Sequence, residues 1–377
     1  MDSAAPEVVE VAAPRMMLLR LPMEIRLMIW DLLFAMTRLS FGKVWLICDS
    51  DAAGEWDLAP AQNVLALRLT CKQIDDDIGK TRWLRHVLFH FESEFSMLDK
   101  LACLPAWLVS EIRHLRVRTQ PITVQWGGNR PDRVGRPFGP AEERAVTYNL
   151  TSTLKFLSHL KLDRLTVLTG VEWVSGGREV AQYHLLDLLI RHSSGWKELW
   201  FMCRNSFMLR WDHPSIDRHA QPMHWQSVLS ARDNTSSSSP PSVVVYRSKT
   251  PREEPGRVPT AHMHHPANWE RFDQTPWNLQ MVAYGRDPIL CDHTEAMKEM
   301  LVVVKRGGNA NYQNPPGSPF IDLDMREEAR GQDWQQIRVK TANFDPAKRL
   351  PYWPDVGYTN VNEYKWVFYY PDDDFRL

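Results

Sequence analysis

From Val87 to Tyr246 the chain switches repeatedly between short aliphatic or aromatic runs and longer segments with helical spacing. Val87 to Phe91 reads as extended, and Ser93 to Leu108 as a helix broken near Pro105. Strands are expected at Ile112 to Arg118, Leu165 to Leu168, Leu199 to Cys203 and Val243 to Tyr246. Between them the spacing predicts helices over Ser152 to Lys161, Val180 to His192 and Trp225 to Ala231. Such alternation is satisfied by a parallel or mixed sheet with helices laid against it. The expected fold class is therefore α+β or α/β, with a mixed sheet and irregular Pro-rich insertions. The strand spacing is too uneven for a fixed-period solenoid. A leucine-rich-repeat-like array is kept as the alternative to a single α/β layer.

The 377 residues suggest two or three packing units, at about 150 residues each. Hydrophobic residues make up 44% and charged residues 24%, enough to build a core. Net charge is −1 and no Lys/Arg run supplies a basic field, which argues against nucleic acid. The longest aliphatic stretch, Met300 to Val304, is far below the roughly 20 residues needed to span a bilayer. No basic region precedes an apolar stretch at the amino terminus, so secretion is not expected. The five cysteines form no Cys-x-x-Cys pair. They read as reduced thiols of a cytoplasmic or nuclear protein.

Near the amino terminus one helix carries apolar residues on two sides. Pro22 suits the first turn of a helix, and Glu24 then sits near the positive end of its dipole. Ile25, Met28, Ile29, Leu32 and Leu33 form one stripe; Leu27, Trp30 and Phe34 form a second. An ordinary surface helix needs only one. This helix must pack on both sides against its own chain, or offer one side to a partner.

The run Leu21-Pro22-Met23-Glu24-Ile25-Arg26, followed by Ile29-Trp30 and Leu32-Leu33, resembles the opening of F-box and F-box-like domains, notably the fungal type that includes the family named for paired Glu-x-Arg motifs. Leu67 to Ile74, with Thr70-Cys71-Lys72-Gln73-Ile74, resembles the helix that follows in many such proteins. A looser match runs through Val87 to Phe91 and on to Ile112 to Val117. The resemblance covers roughly residues 18 to 118. It implies docking on a Skp-type adaptor, and through it recruitment of targets to a cullin ubiquitin ligase. Leu21, Pro22, Ile25, Ile29 and Leu32 would then be the docking or packing positions. The sequence departs from the pattern at a hairpin-like stretch, Phe41 to Leu58, and at Met36-Thr37-Arg38, where a second Glu-x-Arg would stand.

Catalytic signatures are missing from the sequence: there is no Gly-x-Ser-x-Gly elbow, no phosphate-cradling Gly-x-x-x-x-Gly-Lys, and no His-Glu-x-x-His. His262, His264 and His265 lack the short ligand spacing of a zinc site. Asp75-Asp76-Asp77 and Asp372-Asp373-Asp374 read as solvated faces, because adjacent carboxylates splay apart. No metal, cofactor or catalytic residue is expected. Near the carboxyl terminus Tyr364, Trp366, Phe368 and Tyr370 alternate as one aromatic face of a strand, either core cover or a recognition surface.

These readings divide the chain into a disordered lead (1–17), an F-box-like helical segment with a hairpin insertion (18–80), a helix–strand region (81–248), an irregular Pro-rich segment (249–276) and a carboxyl-terminal α/β region (277–377). The expected function is non-enzymatic protein interaction. The chain would be an adaptor to a Skp–cullin ligase, or a binding scaffold with no ligase link. An unrecognised enzyme is the remote alternative.

Overall fold

In a computed structural model the aliphatic runs assemble into one seven-stranded sheet. The structure describes residues 17–35, 37–41, 43–45, 55–57, 66–126, 144–169, 178–193, 195–203, 222–233, 239–250, 292–296, 298–308 and 325–341, with single positions at 206, 208, 272, 273, 310 and 312. The aromatic residues Tyr364, Trp366, Phe368 and Tyr370, the His262–His265 cluster and Asp372–Asp374 lie outside the described residues.

The strands are β1 (Arg38–Phe41), β2 (Lys43–Trp45), β3 (Glu55–Asp57), β4 (Leu88–Phe91), β5 (His114–Thr119), β6 (Ile122–Trp126), β7 (Arg144–Tyr148), β8 (Leu162–Thr169), β9 (Trp196–Cys203), β10 (Ser242–Arg247) and β11 (Met300–Lys305). The sheet order is β1-β4-β5-β8-β9-β11-β10. Its first five strands are parallel, while β11 runs antiparallel to both β9 and β10. The stretch expected to be hairpin-like contains the pair β2–β3, and β6–β7 forms a second hairpin. The main sheet takes β1 from the amino-terminal segment and β11 from the carboxyl-terminal region, so it joins three of the segments separated above.

The helices are α1 (Met23–Ala35), α2 (Lys72–Ile78), α3 (Glu94–Leu101), α4 (Ala106–Val109), α5 (Leu150–Phe156), α6 (Arg178–His192), α7 (Met223–Asp233), α8 (His293–Ala296), α9 (Met325–Ala329) and α10 (Trp334–Arg338). The helix expected over Ser152 to Lys161 begins and ends earlier, as α5. Asn149 sets its start by accepting hydrogen bonds from the backbone of Thr151 (3.1 Å) and Ser152 (3.3 Å). Among the described residues, no helix is long and apolar enough to cross a membrane.

Strand order decides where the helices go. The parallel strands follow one another across the sheet in chain order, without reversal. Right-handed crossovers in a sheet wound in one direction place every connecting helix on the same face. The core agrees. Phe89, Phe91, Leu115, Val117, Leu165, Val167, Leu199, Phe201, Val302 and Val304 share one hydrophobic cluster with helix residues such as Ile74, Leu98, Leu154, Leu186 and Leu229. Strand side chains alternate between faces. Leu88, Leu168, Trp200, Met202, Leu301 and Val303 are buried on the other face and stand outside that cluster.

Candidate functional site

The two stripes of α1 have different fates. Trp30 and Phe34 are 2% and 1% exposed and join the main core, with Leu27 packed beside them. On the opposite side Ile25 is 44% exposed, Met28 60%, Leu32 66% and Leu33 43%. Leu21 and Met23 at the start of the helix are also exposed, as is Leu69 of the 3-10 turn Ala66–Leu69. The motif positions therefore separate. Leu21, Pro22, Ile25 and Leu32 face solvent, whereas Ile29 is half-buried against the core. A run of exposed aliphatic side chains on one helix exceeds the scattered apolar exposure normal for a surface.

Polar clamps fix the orientation of α1. Arg26 lies on the buried side and grips Asp77 of α2 through Nε (2.7 Å) and Nη2 (2.9 Å). Its remaining nitrogen donates to the carbonyls of Leu21 (2.7 Å) and Leu19 (3.3 Å), tying down the turn before the helix. Arg26 holds the Asp77 carboxyl below the usual carboxylate range. One and a half turns along, Asp31 accepts two bonds from Arg82 (2.8 and 2.5 Å) and lies 3.2 Å from His86. Arg82 also pulls the Asp31 carboxyl down, with His86 adding to the effect. Both arginine–aspartate pairs span 51 positions, so α1 and the segment from α2 onward run side by side in the same sense. Bidentate pairs of this kind fix direction as well as distance.

The triple aspartate is thus not a uniformly solvated face. Asp77 is consumed by Arg26, and Asp75 binds Arg68 at 2.7 Å. Helical spacing explains the split, since three consecutive positions point around the axis and one of them must face α1.

A second polar region lies on the sheet face away from the helices. His90, Arg116 and Thr166 stand on adjacent strands in register, and all are buried. His90 lies 3.3 Å from Glu92, and Glu92 lies 3.5 Å from Arg118. Arg164 bonds Glu198 at 3.0 Å and stacks over the Trp200 ring at 4.4 Å. Burial drives the His114 imidazole down to about 4, with Arg164 adding to the effect. The signal for this face was present in the sequence as the alternation His114-Leu115-Arg116-Val117-Arg118. Among the described residues, no group of three or more His, Cys, Asp or Glu side chains could hold a metal ion. Cys71, Cys103 and Cys203 are free thiols.

Comparison with known proteins finds no family model that matches this chain, no similar curated protein and no similar solved structure.

Proposed function

We propose that this chain is a protein-interaction module whose α1 outer face docks a Skp-type adaptor, in the manner of F-box-like proteins, with the α/β body presenting the target-binding surface. The observation that carries this reading is the exposure of Ile25, Met28 and Leu32 on a helix whose opposite stripe is buried and whose axis is clamped by Arg26–Asp77 and Asp31–Arg82. A core helix would hide both stripes, and an ordinary surface helix would carry polar residues outward. Helix faces with anchors at i, i+3 and i+7 are a recurring protein-recognition device.

The function is proposed as non-enzymatic because the exposed stripe of α1 is an anchoring surface of aliphatic side chains that carry no reactive group.

The test is a titration of the intact protein with a purified Skp-type adaptor, followed by calorimetry or interferometry. Saturable binding that is lost in Leu32→Asp supports the reading. Binding absent in the wild type leaves a scaffold with no ligase link as the better description, and binding unchanged by that substitution places the docking surface elsewhere than the outer face of α1.

A further inference from the structure

Arg191 stands in the last turn of α6, and His224 is the second residue of α7. The Arg191 guanidinium is held through Nε on the Asp187 carboxylate (2.7 Å), and its Nη2 lies 2.5 Å from Nε2 of the His224 ring. Asp187 also accepts from the Trp225 indole (3.1 Å), whose ring packs 5.5 Å from that of Tyr183. A guanidinium carries five donors and no acceptor. The proton between Arg191 and His224 therefore belongs to Arg191, and Nε2 of His224 must offer its lone pair. In this arrangement the ring is neutral and carries its own proton on Nδ1.

We propose that the Arg191–His224 contact is an acid-sensitive latch between α6 and α7, closed while His224 is neutral and released when the ring takes up a proton. Protonation sets N–H against N–H and places a second positive charge beside the guanidinium. The start of an eleven-residue helix is also the positive end of its dipole, which disfavours a cation at His224. Asp187 works the other way, but its two oxygens already accept from Arg191 and Trp225. Among the described residues, the other ionisable groups of the two helices are Tyr183, His184, His192, Arg232 and Asp233, with Lys155 on α5 and Tyr246 and Arg247 on β10 packed against them. Arg232 and Asp233 are engaged at the far end of α7, with the Ser193 carbonyl (2.9 Å) and with Arg306 (2.7 Å). Arg247 pairs with Glu295 at 3.2 Å. Arg306 directly follows β11 and is held by Asp233 at the end of α7, so release of α7 would be felt at β11.

The test uses the intact protein with nitrogen-15 histidine, the His224 ring being assigned through its own backbone. At about pH 8, above the ordinary imidazole range near 6.5, the ring nitrogens should report a neutral ring with the proton on Nδ1. A proton on Nε2 overturns the proposal. Amide exchange in α7, corrected for intrinsic rates, is then followed from about pH 8 to about pH 5 and compared with His224→Gln. The glutamine carbonyl can still accept from Arg191 but does not titrate. Wild-type protection should fall several-fold on acidification, while His224→Gln keeps its protection; parallel profiles overturn the latch. If His224→Gln fails to fold, the wild type still decides, because a ring on the wrong tautomer or protection that ignores acidification denies it.

Discussion

Arg26 and Asp77 meet through two nearly parallel hydrogen bonds, 2.7 and 2.9 Å long, across 51 positions of chain. The pair sits on the side of α1 turned away from solvent and sets which stripe the helix shows. Asp77 has its folded value lowered by Arg26. Its contribution is thus present above the unfolded aspartate value of about 3.9 and is lost as pH falls through the lower folded value. Exchange protection in α1 should drop on acidification in the wild type. In Asp77→Asn it should be lower already at neutral pH, and the acid step should shrink to the part that the Asp31–Arg82 pair supplies. An unchanged acid step in the variant would mean that another group holds the helix.

The two stripes of α1 should respond oppositely to substitution. Trp30→Ala removes a core ring and is expected to cost about 3–5 kcal/mol in a denaturant titration. Leu32→Asp lies on the open side and should change stability by no more than about 0.5 kcal/mol while abolishing adaptor capture. Equal stability losses in the two variants would show that the outer stripe is covered in solution and would remove the basis for docking.

Thiol reactivity should follow burial. Burial pushes the Cys203 thiol up to about 12, where almost no thiolate exists at neutral pH. Cys103 is exposed and accepts a hydrogen bond from the Gln335 amide at 3.0 Å. Alkylation of the native protein should mark Cys103 and leave Cys203 untouched until denaturant is added. Peptide mapping of the labelled chain reads this directly, and early labelling of Cys203 would place β9 at the surface.

Much of the sheet was legible because strands such as Leu199 to Cys203 have few alternatives: an aliphatic and aromatic run between helical periods can hardly be anything else. Even there the strand starts earlier, at Trp196, because a buried tryptophan beside Lys197 and Glu198 does not read as strand by pattern. The two-sided helix was also visible, but sequence could not say which stripe would be covered. Arg26 decided that, and its partner Asp77 sits in a run of aspartates whose pattern looks purely solvated. Pairing over 51 positions leaves no local signature. The direction of winding was equally hidden, since alternation of helix and strand is the same whether a sheet is built outward in one direction or from its centre.

The far edge of the parallel run offers a sharper stability test. Asp233 at the end of α7 takes two bonds from Arg306, at 3.0 and 2.7 Å, and one from Arg232, at 3.2 Å. The two guanidinium groups lie 5.9 and 5.7 Å from the centre of the buried Trp196 ring. Burial first, then Arg306, brings Arg232 down to about 10. Asp233 supplies the carboxylate that lets two cations share this space, and its side chain is only 2% exposed. Removing one partner of a buried ion pair leaves uncompensated charge and costs about 3–5 kcal/mol. Asp233→Asn should therefore destabilise the fold by that order at neutral pH, measured as a fall in the denaturant midpoint. Adding Arg306→Met should recover part of the loss, because only one cation then remains beside Trp196. A double variant as unstable as the sum of its single changes would show that repulsion between Arg232 and Arg306 is not what Asp233 holds in check.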